Sequence, residues 1–583
     1  MALFRVWAPF ASRVELELRG ERHAMHPVGR GYHYLAAEAQ HGDDYAFSLD
    51  EGELLPDPRS PWQPAGVFGR SRFVDHSLYP WQDGSFRAKP LASAIFYELH
   101  IGTFSPQRTF DGAAGRLPYL KDLGITHIEL MPVCEFPGDR NWGYDGVDLY
   151  APHHSYGGPD GLKRFVDAAH RHDLAVVLDV VYNHLGPSGN TLGRFGPYFV
   201  SDVQTPWGEA INFAGRHSDE VRRFFLDNAL MWFRDYHMDG LRLDAVGSYG
   251  DTSSYHFLEQ LKDEVHMLEA HLQRPLVLVA ESDQNDPRIV RPAEAGGYGI
   301  EAQWNDDFQH SLHSLLTGEQ ISYFTDFGSF RTLSKALTQG FVHTGEYSSF
   351  RGRRHGRPLF NVPGSRLVGF LQNHDHAGNR CVGERSSHLM STERLKIGAA
   401  LVFTAPFLPL IFSGEEWGAS TYFQFFTSFE DPELARAVTD GRRAEFPEFA
   451  AMGEVPDPQD PATFERSTLN WAEQDQEPHR SLLEWHRGLI QLRKKYLVLS
   501  NGNMDEAEII YEEDDRWMIM ERDRLTIALS LADGPVTLRL REGRATNILL
   551  RSNEAITCEE ALLHFPAEGI AILGPRWEDY HLF

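Results

Sequence analysis

The sequence predicts an α/β protein with a (β/α)8 TIM barrel at its centre and a β-sandwich domain on either side of it. Between residues 94 and 412, eight apolar strand-like runs alternate with amphipathic helical segments. Toward both ends of the chain, short runs of alternating polarity separated by turn residues replace that pattern. A chain of 583 residues is also too long for one compact core. We therefore predict domains at 1–90, 91–500 and 501–583.

The first domain is predicted from short runs such as FRVWAP and VELELRG, which glycine, proline and aspartate separate. It closes with PDPRSPWQPAG, residues 56–66. The four prolines of that segment cannot lie in central strands, so it is predicted to be a linker-like loop. The last domain is predicted in the same way from EIIYEE, RWMIMER, TIALSLA, VTLRLRE and IAILGP.

The barrel is predicted from eight runs: AIFYELHIG from 94, ITHIELMPV from 125, LAVVLDVVYNH from 174, GLRLDAV from 240, PLVLVAES from 275, EAQWND from 301, LVGFLQNHD from 367 and LPLIFSGEE from 408. Eight is the number of strands that closes such a barrel. One helix is predicted by its apolar period after Ser218 as the N-cap, with Val221, Phe225, Ala229 and Trp232 on the buried face. The segment 185–217, rich in Gly, Pro, Ser and Asn, is predicted to be a long loop over the active face.

The amino-acid composition limits which classes of ligand the protein is expected to bind. Lys and Arg number 55 and Asp and Glu 83, so the formal net charge is −28. That surface repels nucleic acid and anionic membrane but admits an uncharged sugar, although solubility explains the charge equally well. We expect no leader or membrane segment, because no basic stretch precedes an apolar run and the most apolar window is short and contains two prolines. Three widely spaced cysteines predict neither a disulfide framework nor a zinc site, which favours the cytoplasm.

Three carboxylates stand at the ends of predicted barrel strands: Asp244 after the fourth, Glu281 after the fifth and Asp375 after the seventh. The carboxyl ends of the strands of one barrel converge on one pocket. Cleavage of a glycosidic bond needs one protonated carboxyl and one ionised carboxylate. Arg242 shares a strand face with Asp244 and is expected to hold it ionised, while Glu281 follows an apolar run and is expected to have a raised pKa.

Polar and aromatic residues in the same segments are predicted to bind a sugar ring by stacking and hydrogen bonding. They are Tyr144, Asn183, His184, Arg242 and His374.

With these motifs the chain resembles the α-amylase superfamily of glycoside hydrolases, through DVVYNH, GLRLDAV, AES and FLQNHD in that order. The resemblance implies a retaining double displacement in which Asp244 is the nucleophile, Glu281 the general acid and base, and Asp375 the transition-state stabiliser. It implies that Tyr144 and His374, with His184 and Arg242, line the subsite of the attacked sugar. The chemistry requires neither a metal nor an organic cofactor.

Longer stretches, among them PDPRSPWQPAGVFGRS, NWGYDGVDLYAP, EAQWNDDFQHSLHSLLTGE and YSSFRGRRHGRP, are similar to the maltooligosyltrehalose trehalohydrolase family. This resemblance covers nearly the whole chain, including a carbohydrate-binding-like N-terminal sandwich. It implies hydrolysis of the α-1,4 bond next to the terminal trehalose of maltooligosyltrehalose, a substrate made by a companion maltooligosyltrehalose synthase. Asp306, Asp307 and Asn379 are implied at the trehalose end, and Trp207 in the long loop is a possible stacking platform. The chain departs from the family pattern at Gly247, where His is expected, and at His376, where Gln is expected.

Four alternatives stay open at this point. A branching or debranching enzyme of the same superfamily would carry the same acids, and a glycan-binding relative could keep the barrel without the chemistry. His374 and His376 have the H-x-H spacing that some metal-dependent barrel hydrolases use. Asp306 and Asp307 could cap the helix that begins near Phe308 instead of binding sugar.

Overall fold

The barrel occupies the centre of the protein, which we describe from a computed structural model over residues 1–445, 453–576 and 578. Its eight parallel strands are Phe96–Leu99, His127–Leu130, Ala175–Val180, Gly240–Leu243, Val277–Ala280, Ala302–Trp304, Leu367–Phe370 and Leu408–Phe412. They follow one another around the barrel in chain order, and the eighth pairs with the first. Each lies within one of the eight predicted runs, so the predicted TIM barrel is confirmed.

The barrel strands form because their residues are apolar on both faces, as a parallel sheet covered by helices requires. All six residues of the third strand and all five of the eighth are buried. The exceptions are acidic or basic residues within strands, such as Glu98, Glu129 and Asp179, which point into the barrel mouth. These buried charges position the site described below.

Helices cover the outside of the barrel. The longer ones are Leu117–Leu123, Gly158–Arg171, Ser218–Asp235, Phe257–Leu272, Asp306–Thr317, Phe330–Gln339, Thr392–Thr404, Pro432–Glu445, Pro461–Ser467 and His479–Lys495, with short turns of helix at Ile101–Phe104, Phe110–Ala114, Leu192–Phe195, His374–Gly378 and Ser386–Leu389. The predicted apolar face after residue 218 is buried, since Val221, Phe225 and Trp232 are fully enclosed. The predicted cap was wrong. Ser218 is the first helical residue and His217, in the left-handed region, is the N-cap, because the chain turns there out of the preceding loop.

Antiparallel sheets lie at both ends of the chain. The N-terminal strands are Ala2–Trp7, Val14–Leu18, Glu21–Ala24, His26–Gly29, Tyr32–Ala37, Asp44–Leu49, Leu54–Leu55 and Ser71–Arg72. The C-terminal strands are Ala507–Glu512, Trp517–Arg522, Leu525–Ser530, Val536–Arg539, Ile548–Arg551, Thr557–Glu559, Leu562–Phe565 and Gly569–Leu573. The boundaries at 90 and 500 stay predictions, and residues 577 and 579–583 of the predicted last domain lie outside the described residues.

The proline-rich segment 56–66 forms a loop without strands or helices, as predicted, and it is packed against the barrel. Ser60 and Gln63 are fully buried and hydrogen-bonded to each other, and Arg59 donates to Asp227 on a barrel helix at 2.7 Å. The prolines keep the segment out of the sheets, while its polar side chains attach it to the barrel.

Three two-stranded ribbons extend the loops of the barrel. They pair Cys134–Glu135 with Asp148–Pro152, Phe199–Thr205 with Gly208–Ile211, and Tyr347–Ser348 with Arg353–Arg354. The second ribbon lies within the long loop 185–217 and places Trp207 at its turn. Within the described parts of the chain, the helices fall short of the length and apolarity that a membrane crossing requires.

Candidate active site

The three predicted carboxylates converge at the carboxyl ends of the barrel strands. Asp244 directly follows the fourth strand, Glu281 follows the fifth, and Asp375 lies on the short helix His374–Gly378 after the seventh. A pocket of about 440 Å³ opens beside them and is lined by Glu281 and Asp375 together with Trp207 and Asp306. The volume suits a bound oligosaccharide segment.

Arg242 forms the base of the site. Its guanidinium is fully buried and lies over the Trp304 ring at 4.1 Å. One terminal nitrogen, Nη1, donates to Asp244 Oδ1 at 2.8 Å and to Asp179 Oδ2 at 2.7 Å, and Nη2 lies 2.8 Å from Glu281 Oε2. A single fixed cation therefore orients the two carboxyl groups that the chemistry needs.

The two carboxyl groups have different proton affinities. Burial raises the pKa of Asp244 to about 6, because it outweighs the opposing charge of Arg242. Burial also raises the pKa of Glu281 to about 8, with the negative charges of Asp244 and Asp375 adding to the effect. At neutral pH Asp244 is ionised and Glu281 is protonated, and Asp244 accepts a hydrogen bond from Glu281.

The backbone after Asp244 turns sharply to serve Glu281. Ala245 has φ 40° and ψ 50°, in the left-handed region that costs a residue with a Cβ about 1–2 kcal/mol. This turn directs the Ala245 N–H to Glu281 Oε2 at 2.9 Å, and the Val246 N–H to the Glu281 carbonyl at 3.1 Å. The strained residue thus holds the Glu281 carboxyl beside Asp244.

His374 connects the third carboxylate to the barrel. Its Nε2 lies 2.8 Å from the Tyr144 hydroxyl and 3.4 Å from Asp375 Oδ1, and the Tyr144 and His374 rings stack at 5.2 Å. Tyr144 donates its own proton to Asp179 at 2.6 Å. Although burial opposes it, the charges of Asp375 and Glu98 raise the pKa of His374 to about 9.

A second group of predicted residues lies under the long loop. His184 Nε2 donates a hydrogen bond to the Tyr144 carbonyl at 2.9 Å, and the His184 ring stacks on the Trp207 ring at 4.9 Å and 12°. Trp207 is 47% exposed and lines the pocket, so one face of its ring is available. The Asn183 amide is buried, and neither its nitrogen nor its oxygen has a partner among the described residues.

The two aspartates of the sixth strand's end differ in their surroundings. Asp306 lines the pocket, whereas Asp307 does not. Oδ2 of Asp307 accepts from the backbone N–H groups of Val342 and His343 at 2.6 and 2.9 Å and from the Asn285 amide at 2.8 Å. Neither caps the helix: Asn305 is the N-cap, and its side chain accepts from the Phe308 N–H.

Asn379 lines the pocket and donates to Asp375 Oδ1 at 3.3 Å, while its own oxygen accepts from Arg442 at 3.0 Å. It therefore joins the wall of the pocket to the third carboxylate.

His374 and His376, the H-x-H pair, do not come together as ligands for a metal ion. Both ring nitrogens of His374 face Glu98, Tyr144 and Asp375, and His376 Nδ1 is bonded to Asn373 Oδ1 at 2.7 Å. Among the described residues, the group of His and acidic side chains whose atoms lie within metal-binding reach is a different one, Glu135, His153 and His154.

Comparison with known proteins agrees with this geometry. The family model "Alpha amylase, catalytic domain" matches residues 102–193. The chain is 46% identical over 581 residues to malto-oligosyltrehalose trehalohydrolase of Arthrobacter ramosus, covering 98% of this chain and 99% of that protein. It is 47% identical over 545 residues to the protein of the same name from Mycobacterium tuberculosis (strain CDC 1551 / Oshkosh), covering 92% and 93%. The chain belongs to the malto-oligosyltrehalose trehalohydrolase family.

A solved structure agrees with the fold along nearly the whole chain. The crystal structure of an alpha-amylase-type protein from Salmonella typhimurium superposes with a TM-score of 0.90 and 37% sequence identity, covering 98% of this chain and 97% of that one. The predicted family and the predicted glycosidase class are confirmed.

Several residues that line the pocket were not predicted from the sequence. Tyr323, Phe350 and Arg351 line the pocket opposite the barrel, and Arg351 donates to the Asp283 carboxylate at 2.8 Å. They lie outside the long helices and strands, in segments without a periodic pattern. Phe350 and Arg351 fall within the stretch YSSFRGRRHGRP, but that stretch alone does not indicate that they face the pocket. Glu98 and Glu129 were missed too, although an acidic residue amid the apolar strand residues of YEL and IEL was a usable signal.

Gly247, where the family pattern has His, lies at the edge of the pocket. A Cβ there would come within 2.9 Å of the Gln284 amide nitrogen, which donates to the Gly247 carbonyl at 3.3 Å. Gln284 thus occupies space that a larger residue at 247 would need.

Proposed function

We propose that the protein is a retaining glycoside hydrolase that cleaves the α-1,4 bond next to the terminal trehalose of maltooligosyltrehalose, releasing trehalose and a maltooligosaccharide. The relatives named above carry this substrate in their names and match along nearly the whole chain. The observation that carries the chemistry is the pair Asp244 and Glu281 on one buried guanidinium, with the pKa of Glu281 above that of Asp244.

The first step uses that difference. Asp244 attacks C1 of the glucosyl unit that precedes trehalose, while Glu281 gives its proton to the departing 4-oxygen of trehalose. Asp375, across the pocket, interacts with the positive charge that develops on the sugar ring. The maltooligosyl group is then bound to Asp244, and trehalose leaves. In the second step Glu281, now ionised, takes a proton from water, which attacks C1 and frees the nucleophile.

The spacing of the carboxyls supports retention of configuration. Inverting glycosidases keep their two carboxyl groups about 6.5–9.5 Å apart so that a water molecule fits between them. Asp244 and Glu281 contact the same guanidinium and share a hydrogen bond, which favours the shorter spacing of a retaining enzyme.

The walls of the pocket support a substrate with two sugar rings beyond the cleaved bond. Trp207 and Phe350 provide exposed aromatic faces, and Asp306, Gln284 and Arg351 provide polar groups around them. Aromatic faces pack on sugar C–H surfaces, and the polar groups can bind the hydroxyls of the non-reducing disaccharide. We propose further that a maltooligosyltrehalose synthase supplies the substrate and that both act in the cytoplasm, which suits three cysteines that form no disulfide.

The substrate is tested by offering maltooligosyltrehalose and a maltooligosaccharide of equal length at the same concentration and identifying the products by chromatography. We expect trehalose and a shortened maltooligosaccharide from the first, at a kcat/KM well above that for the second. New α-1,6 linkages would instead identify a branching enzyme. Equal cleavage of both substrates would contradict the proposed selectivity for trehalose-terminated chains.

A further inference from the structure

Two glutamates lie side by side beneath the catalytic groups. Glu98 of the first barrel strand and Glu129 of the second are opposite each other in the strand register, and each is 1% exposed. An ionised carboxylate at such a depth must be paired or must take up a proton. Glu98 meets this requirement by pairing, and Glu129 does not.

Glu98 is paired through both of its oxygens. Oε1 accepts from His374 Nδ1 at 2.5 Å, and Oε2 accepts from the His374 backbone N–H at 3.0 Å. The carboxylate thereby fixes both the ring and the first turn of the helix that carries Asp375. Glu129 makes no such bond: its Oε2 has no partner among the described residues, and burial, with the charge of Glu98 adding to it, raises its pKa far above the usual range. A buried carboxyl whose oxygen has no partner favours the protonated, neutral form.

The hydrogen bonds around His374 determine its protonation. Tyr144 gives its hydroxyl proton to Asp179, so its oxygen can only accept from His374 Nε2. The opposite nitrogen, Nδ1, faces a carboxylate and must donate as well. A ring that donates from both nitrogens is an imidazolium, and its positive charge lies 3.4 Å from Asp375 Oδ1.

We propose that Glu98 is a positioning residue for the glycosidase reaction, which holds His374 in its doubly protonated form and so keeps Asp375 aligned with the reacting sugar. This inference rests on the proposed function. Glu98 is not among the residues that line the pocket, and its two oxygens bond to His374 instead. Its effect on the reaction passes through the histidine.

The charge on His374 depends on the groups that face it from all sides. They are Glu98, Glu129 and Asp179 from the first three strands, Arg242 from the fourth, Asp375 and His376 from its own helix, and Tyr144 and His100 from the loops. Burial disfavours the imidazolium most, and the positive charge of Arg242 disfavours it further. Among the carboxylates that favour the imidazolium, Asp375 and Glu98 have the largest effects, and Glu98 is the one with a direct hydrogen bond to the ring.

The test compares Glu98→Gln with Glu129→Gln as the matched control, by measuring the pH dependence of kcat and KM. Glutamine keeps the size of both residues but removes the charge of Glu98 only, because burial favours the neutral form of Glu129. We expect Glu98→Gln to lower kcat by about ten- to a hundredfold at pH 8, the loss typical of a bond to a charged group, with KM changed little. The alkaline limb of the kcat profile of Glu98→Gln should move to lower pH by about one unit or more, because His374 would then lose its proton within the assayed pH range.

Glu129→Gln should leave the alkaline limb at the same pH as in the wild type. Its kcat should stay within about threefold of the wild-type value. A uniform loss of activity at all pH values in Glu98→Gln would overturn the proposal, since a merely structural role would give that result. An unchanged alkaline limb would overturn it as well. If Glu98→Gln does not fold, as judged by circular dichroism, Glu98→Asp decides: it retains the charge and should show a loss of kcat without a shifted limb, whereas a shift would count against the proposal.

These outcomes are separate from those of the proposed function. If trehalose is still released preferentially by the wild type while the alkaline limb of Glu98→Gln is unmoved, only the role of Glu98 is wrong. If no trehalose is released by the wild type, the substrate assignment is wrong whatever the variants show.

Discussion

Replacing Arg242 with methionine is the perturbation that separates electrostatics from packing in this site. The guanidinium is fully buried, lies 2.7 and 2.8 Å from two aspartates and 2.8 Å from Glu281, and covers Trp304. Methionine fills much of the same space without charge. Removing the charge from a buried cluster of this kind costs about 3–5 kcal/mol of the free energy of unfolding, unless the freed carboxylates take up protons.

The magnitude of the kinetic effect follows from the pKa of Asp244. An opposite charge at hydrogen-bond distance lowers the pKa of a carboxyl by about 1–3, so its removal should raise the value of about 6 by that amount. At pH 7 the ionised fraction of Asp244 would fall from about nine-tenths to between about one-half and one-hundredth. The charge effect alone therefore predicts a loss of about two- to ninetyfold in kcat/KM at pH 7.

The assay is the pH profile of kcat/KM for the wild type, Arg242→Met and Arg242→Lys, with folding checked by circular dichroism. In Arg242→Met the acid limb should move upward by about 1–3 pH units, so that activity recovers in part as the pH rises. Arg242→Lys keeps the charge without the forked geometry and should move the limb less. An acid limb that stays in place in a folded Arg242→Met protein would refute the reasoning.

Three further predictions follow from the site. The wild type should show a bell-shaped pH profile of kcat/KM. Activity is lost as pH falls through about 6, where Asp244 takes up a proton, and as pH rises through about 8, where Glu281 loses its proton. A sloping profile with no optimum near pH 7 would count against the roles proposed for Asp244 and Glu281. Asp307→Ala should lower the free energy of unfolding by about 3–5 kcal/mol in a denaturant titration, since three hydrogen bonds end on that carboxylate. Asp306→Ala should change the free energy of unfolding by at most about 1 kcal/mol and raise KM about tenfold. Equal effects of the two variants on stability would show that the two aspartates do not differ as described. Trp207→Ala should raise KM by about two- to tenfold through the lost stacking face, with kcat nearly unchanged, and an unaltered KM would remove Trp207 from the sugar-binding surface.

The barrel and its three acids could be predicted because both depend on local patterns. A strand buried on both faces is rich in apolar residues, and each of the eight runs is, although polar residues such as Glu98, Glu129 and Asp179 interrupt some of them. A polar residue at the end of such a run must lie at the carboxyl edge of the barrel, which places Asp244 and Glu281 without further information.

Other features depend on contacts that are distant in the sequence. Asp306 and Asp307 are adjacent, so no local pattern indicates that one faces the pocket while the other bonds the backbone near Val342. The role of Glu98 requires the barrel to close, because its partner His374 is 276 residues away. The cap at His217 was missed because a left-handed histidine at that position is set by the preceding loop and not by the helix.

The central claim is that Asp244 attacks the sugar and Glu281 transfers the proton. The most direct measurement is mass spectrometry of peptides from the Glu281→Gln variant after reaction with α-maltosyl fluoride, whose fluoride leaves without help from an acid. Without its base the variant should accumulate the glycosyl-enzyme, and we predict the added mass on the peptide that contains Asp244. An adduct on a different carboxylate, or release of fluoride with no adduct and a β-configured product, would contradict the account.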